Sequence, residues 1–102
     1  MSIKNNDSGL LDSLDFSDEI EINVNPNPVK NDLNIQLISK MELGFGLLEI
    51  YDSKNKRRLF MDEVRIKEGA TLFQRPIYLD KGIYILKVSG NRFKKTEKIV
   101  VL

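Results

Sequence analysis

Lys81-Gly82-Ile83-Tyr84-Ile85-Leu86-Lys87-Val88-Ser89-Gly90-Asn91 is the stretch on which the fold turns. From Ile83 to Val88 every residue but Lys87 is aliphatic or aromatic, a composition that fits a pleated, half-buried strand. Lys81-Gly82 turns the chain into this run and Gly90-Asn91 supplies a tight turn out of it. Residues 93–102, closing on Lys98-Ile99-Val100-Val101-Leu102, then read as the returning strand. Upstream, residues 71–79 form a strand interrupted by Pro76, which an edge or a bulge tolerates better than a central ladder. Lys67-Glu68-Gly69-Ala70 breaks the chain before it. Earlier still, strands over 43–51 and 57–64 make a hairpin around the polar cluster Asp52-Ser53-Lys54-Asn55-Lys56.

Nearer the start, Leu33, Ile35 and Leu37 alternate with Asn34 and Gln36, and Ile20, Ile22 and Val24 alternate with Glu21 and Asn23. That is the period of a half-buried strand. Between the two lies Asn25-Pro26-Asn27-Pro28. Each proline fixes its own φ and holds the preceding residue extended, so these four residues form a stiff crossover. Seven short strands follow one another with turn signals about every ten residues and no sustained helical period, which predicts an all-β, immunoglobulin-like antiparallel sandwich. Leu79 followed by Tyr84 at the start of the sixth strand has the spacing of a tyrosine corner, in which the phenol bonds back to nearby backbone.

A chain of 102 residues with 41% apolar and 30% charged residues holds one modest core. Charge divides it. Residues 1–22 carry Lys4 against Asp7, Asp12, Asp15, Asp18, Glu19 and Glu21, a balance of −5, so the remainder is +6 within a total of +1. We expect residues 1–21 to be an acidic, flexible linker, with Leu10, Leu11, Leu14 and Phe16 offering a docking strip as the alternative, and residues 22–102 to be the folded domain. No run is long enough to cross a bilayer, and Met1-Ser2-Ile3-Lys4-Asn5-Asn6-Asp7 lacks the apolar core of an export peptide. For an exported protein, the signal is expected on an upstream part.

The composition excludes much chemistry. Without cysteine there is no disulfide, thiolate ligand or thiol nucleophile, and without histidine the usual general base and every Ser-His triad are gone. Gly44-Phe45-Gly46 lies inside a strand and reads as a bulge or bend, not a phosphate loop. Asp62-Glu63 are neighbours, which in a strand sends them to opposite faces. Asp7, Asp12, Asp15 and Asp18 do not match a calcium-loop spacing. No enzyme activity, cofactor or metal is expected. Lys54, Lys56, Arg57 and Arg58 on the hairpin tip, with Lys94, Lys95 and Lys98, read as solubilising and edge-protecting charge, because nucleic acid would require stacking aromatics among them.

The sixth strand carries more hydrophobes than one buried face needs. With Tyr84, Leu86 and Val88 inward, Ile83 and Ile85 face out; with Leu48 and Ile50 inward, so do Leu47 and Tyr51. Ile99, Val100, Val101 and Leu102 leave two apolar side chains outside in either parity. Because the third, sixth and seventh strands of such sandwiches share a sheet, these residues are expected to form one exposed apolar docking patch.

Read in order, Asn25-Pro26-Asn27-Pro28-Val29-Lys30-Asn31-Asp32-Leu33-Asn34-Ile35, Glu49-Ile50-Tyr51-Asp52, the block over 79–88 and the terminal Lys98-Ile99-Val100-Val101-Leu102 resemble the type A C-terminal sorting domain of the type IX secretion system. The resemblance covers residues 22–102. It implies a domain at the end of a larger cargo protein, carried through the periplasm and then secreted or displayed at the cell surface. Its implied partners are outer-membrane shuttle and translocon proteins and a sortase-like enzyme that removes the domain and links the cargo to anionic lipopolysaccharide. No membrane insertion is implied. The matching positions are Pro26, Asn27 and Pro28, then Lys81, Gly82 and Tyr84, then Lys98, Ile99, Val100, Val101 and Leu102. Arg75-Pro76-Ile77-Tyr78 departs from the regular alternation usual there. The rivals are an adhesive or structural immunoglobulin-like module, and a carbohydrate-binding module, for which Tyr51, Phe60, Phe73 and Tyr78 make no clear aromatic row.

Overall fold

The computed structural model describes residues 15–24, 32–77 and 79–102. A 3-10 turn over Ser17–Glu19 leads into seven strands: β1 (Ile20–Val24), β2 (Asp32–Ser39), β3 (Gly44–Asp52), β4 (Arg58–Ile66), β5 (Gly69–Pro76), β6 (Gly82–Ser89) and β7 (Lys94–Val101). They form two antiparallel sheets, β1-β2-β5 and β4-β3-β6-β7. This is the expected sandwich. The third, sixth and seventh strands do share a sheet, and β4 stays with its hairpin partner β3, so three strands face four.

Alternation builds the core. Leu33, Ile35 and Leu37 of β2 join Leu48 and Ile50 of β3, Leu86 and Val88 of β6, and Ile99 of β7 in one buried cluster. Each such side chain contributes about 1.5–3 kcal/mol of gross burial. Tyr84 closes the cluster at one end, and its hydroxyl donates to the Asp80 carbonyl, the tyrosine corner read from the spacing. At the margin between β4 and β5, Arg75 pairs with Asp62 at 3.0 Å and lies 4.4 Å over the Phe73 ring, which meets Phe60 edge-on at 6.1 Å. A half-exposed ion pair adds little, so the rings carry most of this closure.

Two local readings change. β5 ends at Pro76 rather than 79, because proline has no N–H with which to continue the ladder; β5 is an edge strand, where the residue is tolerated. Gly46 is no bulge: β3 and β4 pair without a break from Gly44 to Ile50, and the register shifts between Ile50 and Tyr51. Gly46 is small for a different reason. A Cβ there would lie 2.6 Å from the Ser89 carbonyl oxygen and 3.0 Å from the Phe93 ring, which fills the space.

Charge composition set the folded boundary at Ile22, yet the chain is held from Phe16 onward. Phe16 packs on the core and its N–H donates to the Arg92 carbonyl at 2.8 Å. The Ser17 hydroxyl accepts the Lys94 N–H at 2.9 Å, and the Glu19 carbonyl accepts the Lys40 N–H at 2.9 Å. Residues 15–19 therefore strap two turns together at one end of the sandwich. The rest of the acidic stretch, residues 1–14, lies outside the described residues.

Candidate functional site: the outer face of the four-stranded sheet

Register fixes what stands on this face. Leu47 lies between Glu63 of β4 and Ser89 of β6, Glu49 between Met61 and Lys87, and Tyr51 between Arg58 and Ile85. Ile83 and Ile85 lie opposite Val100 and Lys98 of β7. Phe45, 65% exposed, extends the apolar end beyond Leu47, while Leu59 and Met61 of β4 and Ile83 of β6 are also large and exposed. Most of the large exposed hydrophobes among the described residues therefore gather on one sheet face.

The patch is divided, not continuous. Glu49 has the same outward parity as Leu47 and Tyr51, so a carboxylate sits between the two apolar ends, only 5% exposed. Its Oε2 accepts from the Tyr51 hydroxyl at 2.8 Å and from Arg58 Nη1 at 3.1 Å, and its Oε1 is 3.6 Å from Lys87 Nζ. Lys87 Nζ also stands 5.4 Å from the centre of the Tyr51 ring. Burial pushes the Glu49 pKa up, but the Tyr51 and Arg58 hydrogen bonds and the Lys87 and Arg58 charges together hold it below its ordinary 4.5. At neutral pH it is an ionised carboxylate whose oxygens are engaged by Tyr51, Arg58 and Lys87.

Beside this network, Tyr51, Asp52, Ser53, Lys56, Ile85 and Lys87 surround a depression of about 400 Å3. The β3–β4 turn forms its rim and is pinned in place. Asp52 Oδ1 accepts the Lys54 N–H at 2.8 Å, Lys56 sits at φ 61, and the Ser53 hydroxyl donates to the Ile83 carbonyl at 2.8 Å. The basic tip of Lys54, Lys56, Arg57 and Arg58 is exposed and held against the start of β6.

The residues singled out by sequence do not all meet here. Leu47, Tyr51, Ile83 and Ile85 share the face, with Lys98 and Val100 along its margin on β7. Lys81 and Leu102 are exposed, and Gly82 starts β6 half-buried. Tyr84, Ile99 and Val101 point into the core. Pro26, Asn27 and Pro28 lie outside the described residues. Phe45, Leu59 and Met61 escaped the sequence reading, although Phe45 shares the parity of Leu47. Among the described residues no cluster of acidic side chains is placed to hold a metal ion, and no helix is long and apolar enough to cross a membrane.

The family model for the secretion system C-terminal sorting domain matches residues 23–102. The chain belongs to that family. This sorting domain is a C-terminal signal for type IX secretion, the route by which a larger protein is exported across the outer membrane, and its family is not one of enzyme domains. No curated protein and no solved structure matches the chain. The match begins inside β1, so the strap over 15–19 precedes the matched segment.

Proposed function

We propose that the secretion machinery reads this sorting domain as a folded object, through the outer face of the four-stranded sheet. The observation that carries the reading is the collection of Phe45, Leu47, Met61 and Ile83, all large and exposed, on one face of a domain whose family is a secretion address. Exposed apolar side chains gathered on one face mark an interaction surface. The partners in this reading are outer-membrane shuttle and translocon proteins that receive the domain from the periplasm, and a sortase-like enzyme that acts on the chain upstream of it. The Glu49–Arg58–Lys87 network gives the surface a fixed charge pattern between its two oily ends, and so a register for docking. Lys98, Val100 and Leu102 extend the same surface.

The test fuses the whole 102-residue chain behind an inert reporter with an export signal, in a host that has the machinery. The native fusion is expected in the medium or on the cell surface. Leu47→Glu with Ile83→Glu, both outward, should leave the thermal midpoint of the purified domain nearly unchanged and the reporter in the periplasm. Normal export of that folded double variant would overturn the assignment of the face.

A further inference from the structure

The three-stranded sheet carries a different kind of surface. Its register sets Asn23 of β1, Gln36 of β2 and Leu72 of β5 in one cross-strand row, and Asn34 beside Gln74 in the next. Ile22, Ile35, Leu37 and Phe73 occupy the alternate positions in the core, so these five face out. They line a depression of about 610 Å3 that continues past Asn34 and Gln74 to Pro76. Four of the side chains are primary amides, and among the described residues none lining the main depression is charged, in a chain with 30% charged residues. Asn23 Nδ2 and Gln36 Oε1 meet at 3.5 Å, the outer limit of a hydrogen bond, so the amides keep most of their capacity for a ligand. Leu72, 72% exposed, gives the depression an apolar wall.

We propose that this face binds a neutral polysaccharide, its hydroxyls paired with the amides of Asn23, Asn34, Gln36 and Gln74 and a C–H face of the sugar resting on Leu72. An amide offers a carbonyl acceptor and two N–H donors on one rigid plane, and a sugar hydroxyl both gives and accepts. Two neighbouring hydroxyls can thus engage both ends of one amide without any charge on either side. Among the described residues no cation lines the main depression to meet an anionic ligand. An extended peptide would join this sheet along its edges, β1 and β5, and not across the face, because β2 is paired on both sides. The rows lie about 7 Å apart along the strands and the columns about 4.8 Å apart across them, a spread that suits several linked sugar units. The surface is on the sheet opposite the docking face, so this inference does not rest on the export reading.

Native gels of the whole chain cast with soluble laminarin, mannan, xyloglucan or dextran test it. At least one of these should retard the protein, and Asn34→Ala/Gln36→Ala/Gln74→Ala should weaken that retardation about tenfold or more at an unchanged thermal midpoint. Should the triple variant fold poorly, Gln36→Glu places a charge in the row with little change of shape and is expected to weaken binding likewise. Leu47→Glu/Ile83→Glu, on the other sheet, should bind as the native chain does. No retardation by any of the four would overturn the proposal, as would equal retardation of the amide variants. A parallel gel cast with dextran sulfate separates charge from sugar: retardation there and in none of the four would assign the effect to the surface lysines and overturn the proposal.

Discussion

Tyr84 and Glu49 show how one side chain holds a feature of the whole. Tyr84 fills the end of the core and closes the corner to Asp80. Tyr84→Phe keeps the ring and should cost about 1 kcal/mol for the lost hydrogen bond, while Tyr84→Ala should cost roughly 3 kcal/mol or more. Urea midpoints of the pair check this, and equal losses would mean that the ring itself contributes nothing. Burial, then the charges of Asp80 and Asp52, push the phenol above its ordinary 10.0, so it remains a donor throughout the neutral range. Glu49 works in the other direction. Its pKa in the fold is depressed, so its contribution to stability is complete above the ordinary 4.5 and is lost as pH falls through the lower folded value. Glu49→Gln should therefore cost about 1–2 kcal/mol at neutral pH and flatten the acid limb of the thermal midpoint against pH. An acid limb of native steepness in that variant would show that other carboxylates control it.

At the scale of elements, the strap over 15–19 tests whether an acidic stretch can be structural. Phe16 packs only partly against the core, so Phe16→Ala should cost about 2 kcal/mol, less than a fully buried ring. The amides of Lys40 and Lys94, bonded to Glu19 and Ser17, should then exchange with solvent far sooner than that of Leu86 in mid-sheet. Uniform acceleration across the domain would mean that the strap and the sheets open together. The strands themselves were legible because their causes are local: the alternation of Leu33, Ile35 and Leu37, the β-rich run from Ile83 to Val88, and the Leu79–Tyr84 spacing each lie within a few residues. Gly46 was misread because its cause is distant, the ring of Phe93 arriving from the far side of β6. The strap was hidden for the same reason, since charge marks Asp15, Asp18 and Glu19 as solvated while the Phe16 N–H, the Ser17 hydroxyl and the Glu19 carbonyl are bonded to Arg92, Lys94 and Lys40. The division of the docking face was within reach, because the parity that exposes Leu47 and Tyr51 also places Glu49 between them.

At the scale of the molecule, the two ends of the sandwich differ. The strap lies with the β2–β3 and β6–β7 turns; the basic β3–β4 tip, the start of β6 and Leu102 lie at the other end, one strand length of roughly 26 Å away. The described chain thus enters the domain, at residue 15, at the end opposite the cationic tip. This geometry makes the closing residues of β7 a test of fold against address, because Ile99 is fully buried while Leu102 is 81% exposed. Ile99→Asp places an unpaired charge in the core and should unfold the domain, so a reporter carrying it is expected to be lost to proteolysis in the periplasm. Leu102→Asp should shift stability by less than about 0.5 kcal/mol and leave a protease-resistant domain. If the end of β7 belongs to the surface that the machinery grips, the folded Leu102→Asp reporter stays intact in the periplasm with its export reduced. Full export of that variant beside failure of Leu47→Glu/Ile83→Glu would confine the grip to β3 and β6, and full export of both would leave the four-stranded face without a role in secretion.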